Sequence, residues 1–282
     1  MTRRGLTLVE LLISMIVVAI LGTILTRVLV DDSKFVSRQD AMMSARQTSR
    51  AALNTMIGEL RMVSEDGLLA LEPDSVTFLL PYMFGVSCGD DGGGNLIASF
   101  TPPDSLMYAN AAPEGLARRD GNSNYVMRSM TGATVLTDPT TCTTRNVGTI
   151  PGGRMMTITG IPASELPPTS TDLSPGTIVY LYQTVTYKFA ASVDLPGRLA
   201  LWRRAGAGPL EELVAPFDTV AGFGCLTGPD LDLVACTSSL TMLDEARGLE
   251  LRLVGESDVT PRGSSGPQTF DLTTRVTFLN RD

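Results

Sequence analysis

Residues 6–30 read LTLVELLISMIVVAILGTILTRVLV, a run of 25 residues in which only Glu10 and Arg27 are charged. As an α-helix this run spans about 37 Å, more than the ~30 Å hydrocarbon core of a bilayer. Arg3 and Arg4 precede it, so the positive-inside rule holds the N-terminus in the cytoplasm and sends Asp31 and all that follows across the membrane. A secretory signal has a shorter apolar core followed by a small-residue cleavage site. Here the run is too long and no A-x-A-like site follows it. A plain signal anchor fits the length but leaves Glu10 unexplained. A carboxylate at that depth costs several kcal/mol by order of magnitude, so it marks a functional position, and its natural partner is a group from another chain.

The motif Arg4-Gly5-Leu6-Thr7-Leu8-Val9-Glu10, followed by the long apolar helix, resembles the class III signal of type IV prepilins and type II secretion pseudopilins. The resemblance implies cleavage after Gly5 by a membrane-embedded prepilin peptidase, with the apolar segment retained. It implies N-methylation of the new terminal residue, Leu6. It also implies that Glu10 pairs in the filament with the terminal amine of a neighbouring subunit, an arrangement that relieves a buried carboxylate and sets register more than it adds net stability. The sequence departs from many major pilins in two ways: the leader is only five residues, and no proline kinks the helix before Pro73. Gly22 is the evident weak point of the segment.

After Val30 the pattern turns amphipathic. Leu53, Met56, Ile57, Leu60 and Val63 recur at three- and four-residue spacing, as one helix face does, with Arg46, Arg50, Glu59 and Arg61 between them. The reading is one helix over 6–63, membrane-spanning over 6–30 and amphipathic over 31–63, closed by Gly67 as a C-terminal stop. A break at Asp31–Asp32 is the alternative. From 64 to 282 the chain reads as one β-rich domain outside the membrane, so the fold class is α+β, a long helix followed by an antiparallel sheet. SVTFLLPY alternates Val76, Phe78 and Leu80. TIVYLYQTVTYKFAA from Thr177 and RLALWRR from Arg198 flank Asp194-Leu195-Pro196-Gly197, a hairpin signal. GLELRLVG from Gly248 and QTFDLTTRVTFLN from Gln268 are further strands. Residues 88–174 are rich in Gly, Pro, Ser, Thr, Asn and Asp and read as long loops and short strands.

Net charge is −8 and there is no histidine. The acidic balance disfavours nucleic acid; Arg203-Arg204 is the nearest approach to a basic patch beyond the helix. Without histidine, Ser-His-Asp and Cys-His sites are impossible within the chain, and no motif points to an enzyme. Asp90 and Asp91 lie in Cys88-Gly-Asp-Asp-Gly-Gly-Gly-Asn95, which lacks the spacing and terminal glutamate of a calcium loop, so a plain turn is the better reading. No metal or cofactor is expected. The four cysteines form no C-x-x-C pair; in an exported domain an even number suggests two disulfides, with three connectivities open. The short local loop favours Cys225–Cys236, which leaves Cys88–Cys142.

The last third is similar at pattern level to W-type minor pilins and J-type pseudopilins. VTYKFAA, LALWRR, LEELVAPFDTVAGFGC and RVTFLNRD give the order Tyr-containing strand, turn, Leu-x-Arg strand, short apolar helix, strand. That resemblance implies a single-pass protein of the bacterial inner membrane with a periplasmic head. It would serve as a minor pilin that starts assembly in a tip complex with other minor pilins, the major pilin and a tip adhesin. A pseudopilin of type II secretion is the alternative; a competence pilin for DNA uptake ranks below both.

Overall fold

The computed structural model describes residues 8–64, 66–102, 111–120, 125–138 and 140–278. Its first element, α1, runs unbroken over Leu8–Leu60, passing through Asp31-Asp32. Residues 8–33 of α1 are all exposed. The second half buries Ala41, Ala45, Thr48, Ser49, Ala52, Met56, Glu59 and Leu60, a stripe with the 3.6-residue period of one helix face. The helix stops at Leu60, short of the expected Val63, and the left-handed residue after it is Asp66 (φ 57°), not Gly67. Gly67 serves a different need. A Cβ there would sit 2.9 Å from Ser64 Oγ and 3.0 Å from Ser64 O, so the return of the chain onto the sheet leaves no room for a side chain.

The strands follow in order: β1 Leu68–Glu72, β2 Ser75–Asp90, β3 Leu96–Phe100, β4 Gly115–Arg119, β5 Tyr125–Ser129, β6 Gly132–Leu136, β7 Arg154–Thr159, β8 Ile178–Ala191, β9 Leu199–Ala205, β10 Glu211–Phe217, β11 Gly222–Thr227, β12 Asp232–Val234, β13 Ala246–Glu256 and β14 Thr269–Thr277. Two short helices, α2 (Thr140–Thr144) and α3 (Leu240–Glu245), lie among them. All strand pairs are antiparallel, and the main path runs β12-β11-β13-β10-β9-β8-β2-β3-β7-β6.

β2 and β8 are the two longest strands, and they organise the head into two lobes. One half of the pair, with β1 beside β2 and β9 beside β8, joins β10–β14 under α1. Its core includes Met56, Leu60, Phe78, Tyr187, Leu201, Phe217 and Leu251. The other half carries β3 on β2 and β4 on β8, with β5, β6 and β7 beyond. Its core is separate: Leu96, Phe100, Leu116, Ile158, Val179 and Leu181. The expected loop-and-short-strand region is therefore a second lobe inserted between β2 and β8, and β2 itself extends into it as far as Asp90. Pro81 is tolerated within β2 because it sits at an irregular step of the β2–β8 ladder, between the stretches where β1 and β3 occupy the strand's other edge.

The hairpin at Asp194–Gly197 forms between β8 and β9, with Gly197 at φ 84° and Arg198 N–H donating to Leu195 O. The expected short apolar helix in LEELVAPFDTVAGFGC does not form. Residues Glu211–Phe217 are β10, antiparallel to β9. Pro216 has no N–H and would break a helix there, whereas the strand places Pro216 and Phe217 in the buried interior.

Candidate assembly helix and its seat on the head

Glu10 lies in the first described turn of α1, and it stands among large apolar side chains exposed along the helix, Leu8, Val9, Leu11, Leu12 and Ile13. Gly5 and Leu6 fall outside the described residues. Polar side chains along the apolar stretch are satisfied within the helix: Ser14 Oγ donates to Leu11 O at 2.9 Å, Thr23 Oγ1 to Ala19 O at 2.8 Å and Thr26 Oγ1 to Gly22 O at 2.8 Å. Such internal bonding is what a helix needs where no water is present. None of the most apolar window of α1 is buried by the head. A side chain at Gly22 would meet nothing within 4 Å, so the chain's own fold does not require glycine there.

The other half of α1 is held by two polar knots. At the first, Ser49 is fully buried. Its hydroxyl donates to Leu253 O at 2.9 Å and accepts the Gly255 N–H at 3.0 Å. The contact is close because Gly255 has no side chain; a Cβ there would lie 2.4 Å from Ala45 O. Arg46 caps the same region, its guanidinium 5.0 Å from the centre of the Phe270 ring. At the second knot, near the end of α1, Glu59 Oε1 accepts from Arg203 Nη2 at 2.9 Å, and Glu59 Oε2 accepts from Arg203 Nε at 3.3 Å and from Tyr187 Oη at 2.7 Å. All three residues are buried. Burial pushes the Tyr187 phenol up from its ordinary value, and the Glu59 charge adds to this. Burial alone would lower the Arg203 pKa; the Glu59 carboxylate outweighs it and raises the guanidinium further.

This second knot corrects the reading of Arg203-Arg204 as a basic patch. Arg203 is an interior ion-pair partner and Arg204 alone is exposed. Of the expected helix face, Met56, Leu60 and Val63 are fully buried, and Leu53 and Ile57 pack partly buried against the same core. Neither Ser49 nor the Glu59–Arg203–Tyr187 group was found from sequence. A signal for Ser49 existed in the small residues Ala41, Ala45, Ser49 and Ala52, whose spacing of four, four and three keeps them on one face.

Cys88 is bonded to Cys142 and Cys225 to Cys236. The first bridge lies against Ile97 and Met155 in the inserted lobe. The second belongs to the core beneath α1. In the acidic turn after β2, Asp91 Oδ1 accepts the N–H of Gly93 at 2.6 Å and of Asn95 at 3.1 Å, while Asp90 Oδ1 accepts that of Gly94 at 3.1 Å. Desolvation is the largest single influence and would raise the Asp91 pKa, but the hydrogen bonds from Asn95 and Gly93 together outweigh it and hold the carboxyl below its ordinary value. These carboxylates close a turn. No group of three or more metal-ligating side chains occurs among the described residues.

Residues 1–26 match the family model of the prokaryotic N-terminal methylation motif. No curated protein and no solved structure matches the chain. The motif stands at the head of a helix that is long and apolar enough to cross a membrane.

Proposed function

The chain carries the N-terminal signal of type IV pilin-like proteins, and from that premise we propose that it is a minor pilin, a structural subunit that helps to start filament assembly in a complex at the filament tip. In this reading prepilin peptidase removes Met1–Gly5, Leu6 becomes the N-methylated terminus, and Glu10 accepts the terminal amine of a neighbouring subunit. The head faces the periplasm until the subunit enters the filament. The observation that carries the reading is the division of α1. One uninterrupted helix offers its first half wholly to other molecules and locks its second half to the head, as a subunit must if helices pack in a common core while heads decorate the outside. The size of the head supports a minor over a major subunit. The inserted lobe enlarges it beyond what a densely repeated subunit presents.

Intact-mass analysis of the membrane-extracted protein, from cells with and without prepilin peptidase, tests the class. The expected result is loss of Met1–Gly5 and gain of one methyl group only when the peptidase is present. A chain still starting at Met1 or Thr2 in both strains overturns the proposal. A deletion strain then separates the roles: loss of piliation with secretion intact supports the minor pilin, and loss of secretion with piliation intact supports a pseudopilin.

A further inference from the structure

A groove opens where α1 leaves the sheet, between the helix and the segment that follows β13. It has a volume of about 490 Å³, and its lining includes Val36, Ser37, Asp40 and Ala41 from the helix and Asp258 and Val259 from the segment. Arg262 is the one cation among the described residues of the lining. Val36 and Val259 are 50% and 68% exposed. The far wall is tied to the helix: the Arg262 N–H donates to Ser37 Oγ at 3.3 Å, and Arg38 Nη2 donates to Gly263 O at 3.5 Å. Lys34 is turned to Asp31 at 3.7 Å.

A groove with apolar rims, a floor of small side chains and an excess of carboxylate suits an apolar helix that carries a cation. The chain contains such a helix face. Ala19, Gly22, Thr23, Thr26, Arg27 and Val30 form a shallow strip on α1, small except for Val30 and the single basic side chain. Its hydroxyls are already bonded to their own helix and can be covered without loss.

We propose that the groove seats this strip from a second copy of the chain, with that copy's Arg27 against Asp40 and Asp258. The proposal rests on the assembly reading, because copies drawn from one membrane into one filament keep their α1 helices parallel. Residues 27 and 40 are 13 positions apart, so one copy stands outward of the other by about 20 Å. That displacement carries Arg27 from the rim of the apolar span to a position beside carboxylates. It also sets Thr23 of the outer copy level with Val36 of the inner one.

The test is a paired-cysteine variant, Thr23→Cys with Val36→Cys, treated with a short bis-maleimide in intact cells. All four native cysteines are in disulfides, and the two new thiols are about 20 Å apart within one chain, so they report contact between chains. The expected product is a covalent homodimer, absent from either single variant and from cells without prepilin peptidase. Arg27→Asp is expected to lower its yield by up to about fivefold, the upper end of what loss of one exposed ion pair gives. Adding Asp40→Arg and Asp258→Arg to Arg27→Asp is expected to restore it. A processed chain that gives no homodimer, a homodimer insensitive to charge reversal, or a cross-link to a different subunit would each overturn the second-copy contact while leaving the assembly reading intact. An unprocessed chain overturns both, and intact mass distinguishes that case.

Discussion

Glu59 and Arg203 are 144 positions apart and share one buried ion pair, with the Tyr187 hydroxyl on the same carboxylate. Removing one partner leaves the other charge desolvated and unpaired, which costs about 3–5 kcal/mol. Arg203→Met is expected to destabilise the detergent-solubilised chain by that amount in urea unfolding. The double variant Glu59→Leu/Arg203→Met is expected to recover much of the loss, because no charge is then left inside; equal losses in single and double variants would contradict the pairing. The tyrosines add a pH signature. Tyr187, Tyr82, Tyr180 and Tyr182 all have phenols raised above their ordinary value, with burial the first cause in each. The folded state therefore holds these protons more tightly than the unfolded state. Their contribution is fully present below about pH 10 and is lost as pH rises beyond it. Thermal melts should be flat through neutral pH and fall above about pH 10, less steeply in Tyr187→Phe. None of this was legible in the sequence, where Glu59 looked like a solvent-facing polar residue and Arg203 like half of a basic pair. Residue type reveals charge but not a partner that is distant in sequence.

Among the elements, the helix was the most readable, because an apolar run followed by a 3.6-residue stripe leaves little else for the chain to form. Its end was placed three residues too far, since the stripe continues into Val63, which is buried from a turn and not from the helix. The β8–β9 hairpin was readable from Pro196-Gly197. β10 was not: the short apolar helix expected there was only what the resemblance to W-type minor pilins and J-type pseudopilins implied, and the pairing of β10 with β9 makes the segment a strand. The seat of α1 on β13 supplies a sharp prediction. Gly255→Val would drive a side chain into Ala45 O and Ser49 Oγ, and overpacking of this kind costs about 1–3 kcal/mol. Ser49→Ala leaves the shape unchanged but strands the Gly255 N–H, at about 1–3 kcal/mol. Both are expected to lower the urea midpoint without altering cleavage at Gly5; a wild-type midpoint in both would show that the helix is seated elsewhere.

The whole molecule is two lobes strung on one pair of long strands, and each lobe carries one disulfide. This division was invisible in the sequence. Residues 88–174 lack long periodic runs because their strands are only five or six residues long and show no regular alternation of buried and exposed positions, so composition spoke of loops where the chain builds a lobe. The bridges differ in reach. Cys88–Cys142 spans 54 positions and Cys225–Cys236 spans 11. Closing loops of these sizes in the unfolded chain accounts for about 4 and about 3 kcal/mol respectively. The lobes should therefore fail separately. Cys88→Ser/Cys142→Ser is expected to expose the inserted lobe to limited proteolysis within residues 88–174, while the β-strands beneath α1 stay protected. Cys225→Ser/Cys236→Ser is expected to loosen the core that holds α1, and with it the helix seat. Mapping the cleavage sites by mass spectrometry decides the point. Cuts confined to the lobe that lost its bridge mean that the long β2–β8 pair joins two cooperative units, so that changes in the outer lobe leave the assembly helix in place. Cuts spread through both lobes from either variant mean a single cooperative head, in which damage to the insertion would reach α1.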